Sequence, residues 1–284
     1  MIAFLGILIV MGSVAGGFLL AGGHLAALWQ PSEFVVIVGT ALGAVFIGQP
    51  PAVLRATLGQ LLSLPRAAVG RQDCLDLLTM LAQIFQLTRK EGLVALESHV
   101  NSPEASALFT PYPRFLADKQ ALRFLLDTLE LLISGATINP HDLESLLELD
   151  VEARHEGDQL PSRVLSNVAD ALPGIGIVAA VLGIIITMQH IGGPPSEIGH
   201  HVAAALVGTF LGILLSYGFV QGLSTNLAGK SGARKAYLLA QQHVLVAMQR
   251  GAPPSAAVEF GRRSLPENMR PSSEELTAAI RAKK

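Results

Sequence analysis

Four stretches of the chain carry no Asp, Glu, Lys or Arg: residues 1–32, 34–54, 171–196 and 198–229. A helix that crosses the hydrocarbon core of a bilayer needs about 20 predominantly apolar residues, and each stretch is long enough to hold one. Membrane helices are expected at Ile2–Leu20 and over residues 34–48, 174–191 and 202–222, the second being the shortest. Half of the 284 residues are hydrophobic and only 15% are charged, a balance that suits a membrane protein better than a pair of soluble domains. A short apolar N-terminus also suits a cleaved secretory signal. Here no Lys or Arg precedes it, and Gly22-Gly23-His24 leads into another apolar segment, so it is read as a retained span.

Basic residues concentrate on the cytoplasmic side of membrane proteins. Of the 20 Lys and Arg, 10 lie between Arg55 and Arg163 and 10 between Lys230 and Lys284, whereas the connections at 21–32 and 192–201 have none. Both termini and the long middle segment are therefore expected in the cytoplasm. The expected fold class is an all-α integral membrane protein with four transmembrane helices, a helical cytoplasmic insertion between spans two and three, and a cytoplasmic C-terminal tail. Its divisions are 1–50 for the first two spans, 51–168 for the insertion, 169–225 for the last two spans and 226–284 for the tail. The net charge of −2 gives no reason to invoke nucleic acid, and Cys74, the only cysteine, provides neither a disulfide nor a cysteine-based metal site.

The insertion reads as four or five helices with no sheet. Leu77, Met80, Ile84 and Leu87 recur at helical spacing, as do Leu126, Leu129 and Ile133, then Leu143, Leu147 and Val151. Asn101-Ser102-Pro103, Thr110-Pro111-Tyr112-Pro113, Gly135 and Asn139-Pro140 punctuate it. In the tail, Tyr237 to Met248 is expected to be helical, Gly251-Ala252-Pro253-Pro254 breaks it, and Ser272 with Glu275 forms a capping-box pattern for a last helix.

Helices in lipid associate through small residues that let backbones approach. Gly12 and Gly16, Gly39 and Gly43, and Gly208 and Gly212 are each spaced four apart. Pro173, Gly176, Ala180 and Gly183 step along one face of the third span, and Ala205, Thr209, Gly212 and Ser216 along the fourth. Two such stripes either leave room for a further helix or water, or pack on each other within the chain. Coupled ion transport usually needs an ionisable group inside the membrane, yet no expected span has a charged residue in its middle. If the chain moves ions, the carboxylate must come from a partner, with the Thr209 hydroxyl placed to hydrogen-bond it or its water; the bland alternative is a bond to its own helix backbone.

The chain resembles the A subunit of the flagellar motor stator, the motility protein A family, which is related to the Tol and Exb energy-transducing channels. The resemblance is carried by Gly16-Gly17-Phe18-Leu19-Leu20-Ala21-Gly22-Gly23 with Gln30-Pro31-Ser32-Glu33, and by Leu172-Pro173-Gly174-Ile175-Gly176-Ile177-Val178-Ala179-Ala180-Val181. It continues in Ala205-Leu206-Val207-Gly208-Thr209-Phe210-Leu211-Gly212-Ile213-Leu214 and in Ala252-Pro253-Pro254 with Val258-Glu259-Phe260-Gly261-Arg262. It implies a pentamer of this chain around a dimer of a B-type stator subunit whose single membrane helix supplies the ion-carrying aspartate. Pro173, Ala180 and Thr209 would then face the partner helix and its ion site, and Arg89 and Glu97, which flank Gly92, would contact the rotor's switch-complex protein. The resemblance favours H+ as the transported ion, and no residue excludes Na+; no other cofactor and no metal is expected.

One departure stands out: the family usually has a proline near the cytoplasmic end of the fourth span, where this chain reads Val220-Gln221-Gly222-Leu223. Proline removes a backbone donor and kinks a helix, while glycine only permits bending; Gly222 is accordingly a candidate hinge. Without the resemblance, Arg89 and Glu97 read as solvated helix ends, and His200-His201 and Trp29 as residues at the outer membrane interface. The carboxylates Asp142, Glu144, Glu148, Asp150 and Glu152 read as a charged helix surface, and with no nucleophile elbow or phosphate loop the chain is not expected to be an enzyme. The runner-up function is a Tol/Exb-type energy-transducing channel subunit, whose relatives have three spans rather than four. The expected location is the bacterial inner membrane.

Overall fold

The structure is a computed structural model that describes residues 2–65, 67–135 and 138–283, Ile2 by its backbone alone. Its α-helices are α1 (Ile2–Leu20), α2 (Pro31–Gly48), α3 (Pro51–Leu62), α4 (Arg71–Glu91), α5 (Glu97–Asn101), α6 (Pro113–Ala117), α7 (Lys119–Ile133), α8 (Pro140–Gln189), α9 (Pro195–Ile213), α10 (Gln221–Gln249), α11 (Pro254–Ser264) and α12 (Ser273–Ala282). Short 3₁₀ turns occupy Leu25–Leu28, Leu93–Leu96 and Pro103–Ala105, and a π-helical segment, Leu214–Val220, joins α9 to α10. No strand occurs among the described residues. Among the described residues, four helical stretches are long and apolar enough to cross a membrane.

The expected first span coincides with α1. α2 starts three residues before the expected position, because Pro31 takes the first helical position, where its missing N–H costs nothing. The expected third span overruns the end of α8 by two residues, and otherwise the third and fourth spans are parts of longer helical runs. α8 continues for 50 residues through two internal prolines, Pro161 and Pro173.

The described chain divides into two compact units. The first comprises residues 1–66 and 158–229. Its apolar core joins Ile37 and Ala41 of α2, Leu172 and Ala179 of α8, and Val207 and Leu211 of α9. α8 and α9 meet backbone to backbone: a Cβ added at Gly212 would lie 2.7 Å from the Leu172 carbonyl oxygen and 2.8 Å from the Gly176 Cα. One added at Gly183 would lie 2.8 Å from the Ala205 Cβ. By contrast Gly12, Gly16, Gly39 and Gly43 have nothing within 4 Å of a built Cβ. The glycine pairs of α1 and α2 thus face outward from this chain. At the far end of α8, the His190 and His201 rings stack at 5.1 Å.

The second unit comprises residues 67–157 and 230–284. Its core contains the residues expected from periodicity: Leu77, Met80, Ile84, Leu129, Leu143, Leu147 and Val151 are all buried, and Leu87, Leu126 and Ile133 pack against them. Asp118 caps α7 by accepting from the Gln120 and Ala121 amides, and it also pairs with Arg234 at 3.1 Å. The expected capping box is present: the Ser272 hydroxyl accepts from the Glu275 amide while the Glu275 carboxylate accepts from the Ser272 amide. The insertion holds more helical pieces than the four or five expected, because α5 and α6 are single turns of five residues, the one stopped before Pro103 and the other opened by Pro113.

Candidate functional site

The motif-bearing residues of α8 and α9 meet where the two helices pack on each other. Proline at 173 has no N–H for the Ala169 carbonyl, the normal i−4 acceptor in a helix. Ser216, fully buried in the π-helical segment, donates its hydroxyl to that oxygen at 2.6 Å. Further along, the Ser224 hydroxyl donates 2.7 Å to the Ser162 carbonyl. These two bonds tie the prolyl helix to its neighbour in a setting where unsatisfied backbone groups are costly.

The two small-residue stripes are thus largely spent on each other. Gly176 faces the Gly208 carbonyl and the Gly212 Cα, Gly183 faces Ala205, and Ser216 holds Ala169. Packing within the chain, the plainer of the two alternatives open from sequence, accounts for those positions. Pro173, Ala180 and Thr209 differ: each is partly exposed beside this contact. The Thr209 hydroxyl makes no hydrogen bond among the described residues, unlike Thr187, which bonds back to the Gly183 carbonyl at 2.8 Å. Gly222 lies in a regular stretch of α10 with open space around it, and the departure from α-helical geometry falls just before it, at Leu214–Val220.

Sequence reasoning missed Glu33. It falls between the connection expected at 21–32 and the second span expected at 34–48, and it was quoted only within the Gln30-Pro31-Ser32-Glu33 motif. The structure includes it in the second helix: Glu33 is 6% exposed in the first turn of α2 and packs against Gly208 in α9. Proline followed two residues later by an acid is a helix-start pattern, and it was the signal available.

In the second unit, Arg89 lies in the last turn of α4 and Glu97 in the first turn of α5, with Gly92 between them at φ +84°. Both side chains are exposed and neither forms an ion pair among the described residues. A base at a helix C-terminus and an acid at an N-terminus also complement the helix dipoles. The turn between them is anchored by buried Leu96 and tipped by exposed Val94. The Glu259 motif has a structural explanation: its carboxylate accepts two bonds from Arg262 and one from Arg263. A Cβ on neighbouring Gly261 would sit 2.5 Å from Val244 and 2.8 Å from the Ala240 carbonyl oxygen, so the motif seats α11 against α10.

Residues 4–92 match a family model described as Motility protein A N-terminal, and residues 117–233 match the MotA/TolQ/ExbB proton channel family. The chain is 38% identical over 283 residues to Motility protein A of Salmonella typhimurium, covering 99% of this chain and 96% of that protein. It is 39% identical over 285 residues to Motility protein A of Escherichia coli, covering 100% and 96%. Among solved structures it is similar to the flagellar MotAB stator complex from Bacillus subtilis, with a TM-score of 0.75 at 22% identity over 97% of this chain and 98% of that one.

Proposed function

The chain belongs to the motility protein A family and is a stator subunit of the bacterial flagellar motor, and from that premise we propose how its parts divide the work. The near-complete match to motility proteins A carries this reading, and the match of residues 4–92 to the motility N-terminal model favours it over an energy transducer of the Tol or Exb kind. In our reading Pro173, Ala180 and Thr209 face the membrane helix of a B-type partner subunit, whose carboxylate carries the proton. Their partial exposure beside the α8–α9 contact and the uncommitted Thr209 hydroxyl support that assignment. The outward glycine faces of α1 and α2 suit close helix packing between copies in a pentamer.

The second unit, with both termini, is assigned to the cytoplasm. Arg89 and Glu97 present opposite charges on one exposed turn, an arrangement that steers and orients a complementary rotor surface more than it adds affinity. Proton binding and release at the partner carboxylate would shift the partner helix against the pentamer, and repeated shifts would turn one against the other. The test is in-frame deletion in the source bacterium with swimming and filament staining as readouts, followed by re-expression of the intact chain or Arg89→Glu. Paralysed cells that keep filaments and recover with the intact gene support the stator role, and weak recovery with Arg89→Glu supports the rotor contact. Full swimming in the Arg89→Glu strain would remove that contact from the reading.

A further inference from the structure

Glu33 is placed unlike any other acid in the first unit. It is 6% exposed, and its Oε2 has no hydrogen-bond partner among the described residues. That oxygen lies 2.5 Å from where a Cβ on Gly208 would stand, and the same point is 3.3 Å from the Ala179 Cβ and 3.3 Å from the Ala180 amide nitrogen. The carboxyl therefore reaches the joint of α8 and α9 through a gap that only glycine leaves open. Gly208 is 13 residues beyond Pro195, the first of α9, or about 20 Å along the helix at 1.5 Å per residue. Thr209, the next residue, carries the uncommitted hydroxyl, and Ala180 adjoins the same gap.

Nothing nearby fixes the charge of this group. Residues 171–189 of α8, residues 198–213 of α9 and the rest of α2 contain no Asp, Glu, Lys or Arg. The histidines of the adjoining elements lie at their ends: His24 before the first 3₁₀ turn, His190 just past α8, and His200 and His201 eight and seven residues before Gly208. The N-terminal dipole of α2 favours an ionised carboxylate at its third residue. Removal of the side chain from water, at 6% exposure, works against the charged form. These influences oppose each other, and no cation among the described residues pairs with the group to settle the balance. An acid placed only for structure would have its oxygens committed to donors.

We propose that Glu33 is a proton-binding carboxyl of the conduction path, a second intramembrane acid that this chain supplies beside the one expected from the partner subunit. The inference rests on the stator reading. The chemistry is the simplest available: Oε2 accepts a proton to give the acid and releases it to give the carboxylate, with no other bond made or broken. The neutral form fits against Gly208. The ionised form requires water or a donor, and Thr209, the residue after Gly208 in α9, brings a hydroxyl to the adjoining position of that helix.

The test uses the full chain purified with its partner subunit. Infrared spectra are taken across the pH range in which the cells swim, for wild type and for Glu33→Gln, which keeps the shape but cannot exchange a proton. The expected result is a protonated-carboxyl band that is present in wild type, absent in Glu33→Gln, and lost and regained reversibly with pH; cells carrying Glu33→Gln assemble the complex at normal abundance and lose swimming. A Glu33 band that never responds to pH, or normal swimming by the Gln variant, overturns the proposal and leaves a structural acid. If Glu33→Gln does not accumulate, Glu33→Asp replaces it, with a displaced band whose pH response decides in the same way. If deletion of the whole gene leaves swimming unchanged, the stator reading fails while the infrared titration still decides whether Glu33 exchanges a proton.

Discussion

The Ser216 hydroxyl donates a 2.6 Å hydrogen bond to the carbonyl of Ala169, the acceptor that Pro173 leaves without its usual helical amide. A proline inside an apolar helix normally costs a hydrogen bond and bends the chain; here a side chain from the segment after α9 gives the carbonyl a donor. The donor sits within the π-helical segment Leu214–Val220, where the backbone departs from α geometry close to the place that usually holds a second proline in this family. Pro173 and the π segment are thus linked through the Ala169 carbonyl.

This coupling predicts a non-additive mutant cycle. Ser216→Ala removes the donor from a fully buried site and should destabilise the complex by roughly 0.5–2 kcal/mol, the range of interhelical hydrogen bonds in membranes. Pro173→Ala returns an amide N–H to the Ala169 carbonyl. In the double variant the serine is no longer needed, so its loss should cost measurably less than it does alone. Thermal unfolding of the four purified complexes checks this; equal costs in the two backgrounds would mean that Ser216 acts independently of Pro173.

The glycines should separate into two classes. A Cβ at Gly212 would meet the Leu172 carbonyl and the Gly176 backbone at 2.7 and 2.8 Å, contacts that backbone atoms cannot relieve by rotating. Gly212→Ala should therefore force α8 and α9 apart at about 1–3 kcal/mol, read as reduced membrane abundance. Gly39→Ala and Gly43→Ala meet nothing in this chain and should leave abundance of the single subunit unchanged. If they weaken the assembled complex, as judged by size in mild detergent, their faces pack against other chains.

Much of this fold was legible because the membrane removes alternatives. Charge-free stretches located all four spans, and the first matches α1 end to end. Periodic Leu77, Met80 and Ile84 marked the core of the second unit, and Ser272 with Glu275 marked the start of α12, since both patterns are local. The continuity of α8 through Pro161 and Pro173 was not legible, because the bond that rescues Ala169 comes from a residue 47 positions away. The small-residue stripes announced close approach without saying to what. Glu33 was misplaced for the opposite reason: a charge was taken to end the apolar run, whereas the fold buries it. Arg89 and Glu97 look the same whether they meet a rotor or water, so only their exposure could be read from the fold.

Cys74 gives a probe of the second unit. It is completely buried, and burial, aided by neighbouring Asp73, pushes its thiol up to about 12. Thiolate is the reactive form, so alkylation at neutral pH should be negligible in the folded complex and should appear only as the unit opens. Mass spectrometry after timed exposure to iodoacetamide, with and without denaturant, measures this. Rapid labelling without denaturant would show that the core around Leu77 and Tyr237 opens readily.

The pairing of Glu259 with Arg262 and Arg263 predicts a pH dependence with a definite sign. Its carboxyl is lowered from 4.5 to about 2, chiefly by the Arg262 hydrogen bond. A carboxyl that ionises more readily when folded stabilises the protein above the unfolded value, and that contribution is lost as pH falls from about 4.5 towards about 2. The linkage alone would amount to ~3 kcal/mol, but 30% of the Glu259 side chain and 74% of the Arg263 side chain remain accessible to water. Solvent screening reduces the expected contribution to about 1–2 kcal/mol. Glu259→Gln should therefore lower the unfolding temperature at neutral pH, with the gap from wild type narrowing as pH drops below about 4.5 and closing near pH 2. The Arg262 guanidinium also donates to the Pro271 carbonyl at 3.1 Å, so Arg262→Lys, which cannot make the forked contact, should lose most of the same pH dependence. A gap between Glu259→Gln and wild type that stays constant from neutral to acid pH would show that the pair contributes packing rather than charge.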